Sequence, residues 1–307
     1  MAVEKREYFV PSGDGIHTLS GVIYLPEGTP KGYFHAVHGM TEHIARYDTF
    51  LTEMAQAGFV AFGYDHVGHG KTAREESELG YIAAADGWKL LAKDVKIFSD
   101  AVRREIGKDL PYYLMGHSMG SFAVRVAAER YVQPDRLILM GTGGANPAAG
   151  AGLALVALVK TFRGEKYFSP LVDALAFGSY NKRFGGGSED DPKPWLTRDE
   201  AVRAQYYADP FCSFHFTVSA MGDLIRLTKE ANRGAWYRNL PKELPILLVS
   251  GAEDPVGAYG KGIRQVERKL KAKGILTQAI LYEDARHEIL NDTTHAQTVE
   301  DILRFLA

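Results

Sequence analysis

Ser118 lies midway between Gly116 and Gly120 in the run YYLMGHSMGSF, residues 112–122. A serine hydroxyl is scarcely ionised at neutral pH, so it attacks a carbonyl only with a base beside it and an acid to orient that base. The G-x-S-x-G pattern alone carries little weight in a chain with 32 glycines. It equally suits a serine whose side chain only caps the helix predicted to begin near Met119. Context sharpens it: an apolar run precedes the motif and a helical pattern follows, so a tight turn would expose the hydroxyl while the small glycines relieve crowding.

Two further stretches offer partners in the order acid, then histidine. VSGAEDPVG holds Asp254, with Glu253 as a rival acid, and YEDARHEIL holds His287, with the later His295 as a rival base. Asp254 would otherwise cap the loop before Pro255, and His287 would be a surface loop residue. Asp254 and His287 each follow a predicted strand, and the C-terminal ends of strands in an open parallel sheet converge on one crevice. Stabilising the oxyanion of acyl transfer needs two backbone N–H groups. Met119 follows the serine directly, and His38-Gly39-Met40 follows an early strand, which makes Met40 the expected second donor. Carboxylate-nucleophile chemistry, as in dehalogenation or epoxide opening, would want aspartate at position 118.

A second cluster, DHVGHG, carries Asp65, His66 and His69. Its glycines fit a turn after a strand, and we expect neither a metal site nor a cofactor here. Glu42, Arg46 and Asp65 are expected to form polar links that hold the loop bearing Met40.

These residues must be positioned by a scaffold. The apolar segments 33–39, 59–66, 111–118, 136–143, 245–251 and 277–284 read as buried strands. Helical patterns fill 45–57, 86–106, 119–131, 258–273 and 295–306. EYFVPSGDGIHTLSGVIYLP adds two strands joined at Gly13-Asp14-Gly15, an antiparallel edge. The expectation is an α/β fold: a mostly parallel eight-stranded sheet flanked by helices. Residues 144–240 break the rhythm, far exceeding an ordinary crossover. We read them as an inserted helical cap on a core formed by 1–143 and 241–307. The cap contains the apolar run AAGAGLALVALV (148–159), glycines 185–187 that would permit motion, and Tyr206, Tyr207, Phe211 and Phe216, expected to form its core. The apolar run reads either as packing on the core or as a surface admitting acyl chains from a membrane or micelle.

Composition bounds the partners. With 46% hydrophobic residues, a net charge of −2 and a pI of about 6.6, the chain has no global basic field for nucleic acid or anionic membrane. One cysteine, Cys212, allows no disulfide within the chain and no cysteine-based zinc site is expected to form; no metal site is expected. The charged N-terminus MAVEKREYFV does not read as a targeting peptide, and a cytoplasmic location is the expectation.

HGMTEHIARYDTF, GYDHVGHGKT, GHSMGS, SGAEDPVG and ARHEILND, in that order across residues 38–292, resemble the blocks of the monoglyceride lipase and lysophospholipase-like serine hydrolases. The resemblance implies the α/β-hydrolase fold and a carboxylic ester hydrolase without cofactor. Its implied substrate is a small apolar acyl ester such as monoacylglycerol or lysophospholipid. It places the nucleophile on Ser118, the acid on Asp254, the base on His287 and the oxyanion donors on Met40 and Met119. Ser121 stands where the family usually has a second glycine, and Thr72 where it usually has serine. The insert matches the family cap only in placement and apolar character. A peptidase or thioesterase on the same triad, or a non-catalytic ligand-binding module, are the alternatives.

Overall fold

In the computed structural model, which describes residues 3–307, eight strands form one sheet in the order β1-β2-β4-β3-β5-β6-β7-β8. The hairpin β1 (Glu4–Pro11) and β2 (Thr18–Leu25) is antiparallel, and β2 also pairs antiparallel with β4 (Phe59–Tyr64). From β4 onward, β3 (Gly32–Val37), β5 (Tyr112–His117), β6 (Arg136–Met140), β7 (Ile246–Gly251) and β8 (Thr277–Tyr282) are all parallel. β3, β4, β5 and β7 are buried along their whole length, because helices cover both faces.

Side chains of one strand alternate between two apolar layers. Tyr33 and Val37 join one layer with α2 (Gly87–Ile106), α3 (Met119–Arg130) and α9 (Lys261–Lys271). Phe34 and Ala36 join the other with α1 (Asp48–Gln56) and α10 (His295–Leu306), where Phe50, Leu51, Ile302 and Leu306 pack. The sheet therefore presents its strand ends between two fixed helical layers.

Two predicted helices differ at their starts. The segment 45–57 divides into a 3-10 turn, Ile44–Tyr47, followed by α1. The segment 258–273 becomes helical only at Lys261, because Ala258, Tyr259 and Gly260 all have positive φ (51°, 57° and 79°) and form a left-handed turn instead. The predicted strand 136–143 ends at Met140, where Gly141 turns with φ +57°.

Five helices stand between β6 and β7: α4 (Ala149–Arg163), α5 (Pro170–Phe177), α6 (Glu200–Ala208), α7 (Val218–Asn232) and α8 (Gly234–Asn239). Arg125 of α3, fully buried, pins the end of α7 to the core. Its guanidinium donates to Ala231 O, to Asn232 Oδ1 (3.1 Å) and to Gly143 O (3.2 Å), and stacks 4.2 Å from the Trp236 ring centre. Among the described residues no helix is long and apolar enough to cross a membrane.

Candidate active site

Ser118 occupies the turn between β5 and α3 with φ 52° and ψ −120°, a conformation that costs a non-glycine residue about 1–3 kcal/mol. It is the residue preceding the first turn of α3, yet its hydroxyl makes no capping bond. The reading of Ser118 as a mere cap therefore fails. Ser121, the departure from the family pattern, donates its hydroxyl to Ser118 O at 2.6 Å and steadies the turn. The flanking glycines are sterically required: a Cβ on Gly116 would strike Gly120 O, and one on Gly120 would strike Val37 O.

Asp254 and His287 sit on the loops after β7 and β8, and His287 Nδ1 lies 3.0 Å from Asp254 Oδ2. The pair is close, with the ring N–H off the direct line to the carboxylate. Asp254 is fully buried. Its Oδ1 accepts from the Val256 amide at 2.8 Å and its Oδ2 from Ser250 Oγ at 3.1 Å, so its lone pairs are directed and its position fixed. The Trp195 ring centre lies 5.2 Å from the imidazole on one side, and that of His117 lies 4.8 Å away. Among the described residues no hydrogen bond joins Ser118 Oγ to His287, although both line one cavity. Such bonds commonly tighten only around the reacting substrate.

The rivals point elsewhere. Glu253 pairs with Arg198 at 2.9 Å, and His295 spans Glu53 Oε2 (2.9 Å) and Leu290 O (2.7 Å).

Met40 and Met119 both border the cavity beside Ser118. The Met119 amide, in the first turn of α3, has no partner within the helix. The Met40 loop is held by a buried polar network. Glu42 Oε1 accepts from the Gly39 amide (2.6 Å), Tyr47 OH (3.0 Å) and His117 Nδ1 (3.0 Å), while Oε2 accepts from Arg46 (3.1 Å). Arg46 also forks onto both oxygens of Glu288 at 2.7 Å each. Asp65 takes part without touching either residue: its Oδ1 accepts from the Ile44 amide (2.7 Å) and its Oδ2 from the Lys71 amide (2.8 Å). Thr72, the second departure, donates to Asp65 O at 2.6 Å.

These contacts set the local charges. Burial would raise Glu42, but the His117 and Arg46 contacts outweigh it and hold the carboxyl well below its usual range. Burial would lower His117, but the Glu42 hydrogen bond and charge outweigh it and raise the imidazole. Glu288 is held low because Arg46 offsets its burial. In the DHVGHG turn burial brings His69 down to about 3, so that ring is neutral at physiological pH. With Asp65 committed to backbone amides, the turn is a structural support.

The cavity has a volume of about 500 Å³. Phe122, Phe177, Phe216, Met221, Leu224 and Ile225 give it a long apolar wall, while Thr41, Glu42, Lys193, Tyr206 and Glu288 form a polar end near the Met40 loop. Tyr206 does more than fill the cap: its hydroxyl donates to Thr41 O at 2.9 Å and fastens α6 to that loop. Sequence reasoning missed His117, Ser250, Glu288, Trp195 and Lys193. The first two adjoin predicted strand ends, and that position was the available signal.

The family model Hydrolase_4, described as serine aminopeptidase, S33, matches residues 28–294. Mouse monoglyceride lipase is 31% identical over 289 residues, covering 89% of this chain and 82% of the relative. Human monoglyceride lipase is 33% identical over 244 residues, covering 77% and 71%. A thermostable carboxyl esterase from Bacillus coagulans, solved in complex with glycerol, superposes with a TM-score of 0.90 at 29% identity and covers 100% of this chain and 98% of its own. The chain belongs to the Hydrolase_4 (serine aminopeptidase, S33) family and is a monoglyceride lipase-like α/β-hydrolase, a carboxylic ester hydrolase.

Proposed function

We propose that the protein cleaves esters of medium or long acyl chains, with monoacylglycerol or lysophospholipid preferred, through Ser118, His287 and Asp254. The observation that carries this reading is a serine hydroxyl free of capping duty, opening with His287 onto an apolar cavity of about 500 Å³. His287 takes the hydroxyl proton as Ser118 Oγ bonds to the ester carbonyl carbon. Asp254 holds the ring in the correct tautomer and stabilises the imidazolium. The Met40 and Met119 amides stabilise the oxyanion, each worth roughly 10²-fold or more in turnover. Collapse breaks the bond to the alcohol oxygen, which leaves with the proton from His287. Water, deprotonated by the same ring, then releases the fatty acid from Ser118.

Peptidase or thioesterase chemistry is the competing reading on the same triad. The buried cavity carboxylates Glu42 and Glu288 are both engaged by Arg46, not held ready for a peptide ammonium group. Substrate arrives at a lipid surface in our reading, through the outer face of α4 and α5. There Leu158, Phe162, Leu171 and Leu175 are 57%, 76%, 58% and 69% exposed, with Lys160 and Arg163 closing α4.

Initial rates on nitrophenyl esters from acetyl to palmitoyl, compared between wild type and Ser118→Ala, test the proposal. Rates should peak at medium or long chains and vanish in the variant. His287→Gln and Asp254→Asn should lose about 10³–10⁴-fold with little change in melting temperature. Full activity in Ser118→Ala would overturn the mechanism, and a peak at acetyl would overturn the lipid assignment.

A further inference from the structure

His43, Asp209 and Cys212 converge at the seam between the Met40 loop and the chain following α6. One ligand-capable atom of each lies within 4.8 Å of the other two. We propose that these three side chains form a binding site for zinc, which ties the loop to the cap.

The donor set suits that ion: an imidazole, a carboxylate and a thiolate are its customary ligands, and three protein ligands leave a fourth position for water. Ligand atoms of a tetrahedral zinc stand roughly 3.5 Å apart, so binding would part His43 from Asp209 slightly while Cys212, within 4.8 Å of both, closes on the ion. Two of them are already aligned, with His43 Nε2 2.8 Å from Asp209 Oδ2. Asp209 Oδ1 is occupied by the Phe211 amide at 2.8 Å, which turns Oδ2 toward the histidine. Asp209 and His43 are 30% and 12% exposed at their side chains and provide the way in from solvent. Cys212 is buried behind them, and among the described residues its sulfur has no hydrogen-bond partner.

The surroundings hold more carboxylates than cations, which suits a bound cation. Asp209, Glu42 and Glu288 face Cys212 against Arg46, whose guanidinium is already shared by the two glutamates, and Lys193 stands farther along the same polar end. Binding releases the thiol proton to solvent as the sulfur takes up the ion. This revises the expectation that a lone cysteine excludes such a site: His43 and Asp209 supply what further thiolates would. The link matters because His43 belongs to the loop that carries the Met40 amide.

Cobalt(II) reports on the site directly, since the chain has one cysteine and any thiolate-to-cobalt charge-transfer band must come from Cys212. Titrating the full-length protein with cobalt(II) should raise that band to saturation at one equivalent, and zinc should bleach it. The band should be absent in Cys212→Ser and should no longer saturate at one equivalent in His43→Gln or Asp209→Asn. Zinc should slow hydrolysis of a soluble nitrophenyl ester by wild type and leave Cys212→Ser unaffected. No band in wild type, a band that saturates equally in His43→Gln, or equal zinc inhibition of Cys212→Ser would each overturn the proposal. The cobalt readout is independent of ester hydrolysis, so it stands apart from the assigned reaction.

Discussion

Arg46 is the side chain on which the buried charge of the site balances. It neutralises Glu42 and Glu288, both almost wholly removed from solvent. Removing one partner of a buried ion pair leaves the other uncompensated, typically at about 3–5 kcal/mol. Arg46→Ala should therefore lower the melting temperature and reduce ester turnover, because Glu42 also holds the Gly39 amide beside Ser118. Unchanged stability together with unchanged turnover would remove the network from the account. Arg46 and Glu42 were legible in the sequence as neighbours four residues apart. Glu288 was not, since 242 residues separate it from Arg46 and only the fold brings them together. The same limit explains Trp195 and Lys193, which reach the cavity from the insert, where no motif marks position. Ser118, Asp254 and His287 were legible because each lies just beyond a strand, and strand ends converge by topology.

At the scale of elements, the apolar run 148–159 both packs and faces outward: Val156, Leu155 and Val159 of α4 lie against the core, while Leu158 is exposed. Only Ala149 and Val156 of α4 are fully buried, and Leu158 and Phe162 are left on its exposed side. Replacing Leu158, Phe162, Leu171 and Leu175 together by serine should reduce hydrolysis of monoacylglycerol in vesicles or micelles several-fold. Hydrolysis of a soluble short-chain ester should be unaffected. Equal loss on both substrates would refute a role at a lipid surface. Helix and strand cores were readable from periodicity, whereas boundaries such as 258–260 were not. Left-handed conformation at Ala258 and Tyr259 is imposed by the loop around Asp254, whose carbonyl accepts from the Tyr259 amide at 2.8 Å.

For the whole molecule, stability at mild acidity depends on carboxyls outside the site. Burial raises Asp94 to about 6, where it accepts from Ser12 Oγ (2.8 Å) and the Gly13 amide (2.8 Å). Burial likewise raises Asp223 of α7 to about 7, where it accepts at 2.9 Å from the Trp88 amide at the start of α2. A carboxyl raised in the fold favours the folded state in its protonated form, so its support is complete below the unfolded value near 4 and is lost as pH rises through 6 to 7. For Asp94 the difference corresponds to about 3 kcal/mol. The wild-type melting temperature should therefore fall relative to that of Asp94→Asn between pH 4 and 7. Parallel curves would show that Asp94 does not titrate in this range. The eight-stranded, mostly parallel architecture was fully legible, because alternation of apolar strands and amphipathic helices admits few arrangements.

Arg125 clamps α7 and α8 to the core, and Tyr206 clasps α6 to the Met40 loop. With both flanks of the insert anchored and α4 laid along α7, the part least tied down is the leaf formed by α5 and the turn after it, between Gly164 and the left-handed glycines 185 and 186. The leaf that would swing is also the one whose outer face is greasy. On the lipid reading proposed above, doorway and landing stage coincide, and an acyl chain drawn from a lipid layer would pass inward without crossing open water.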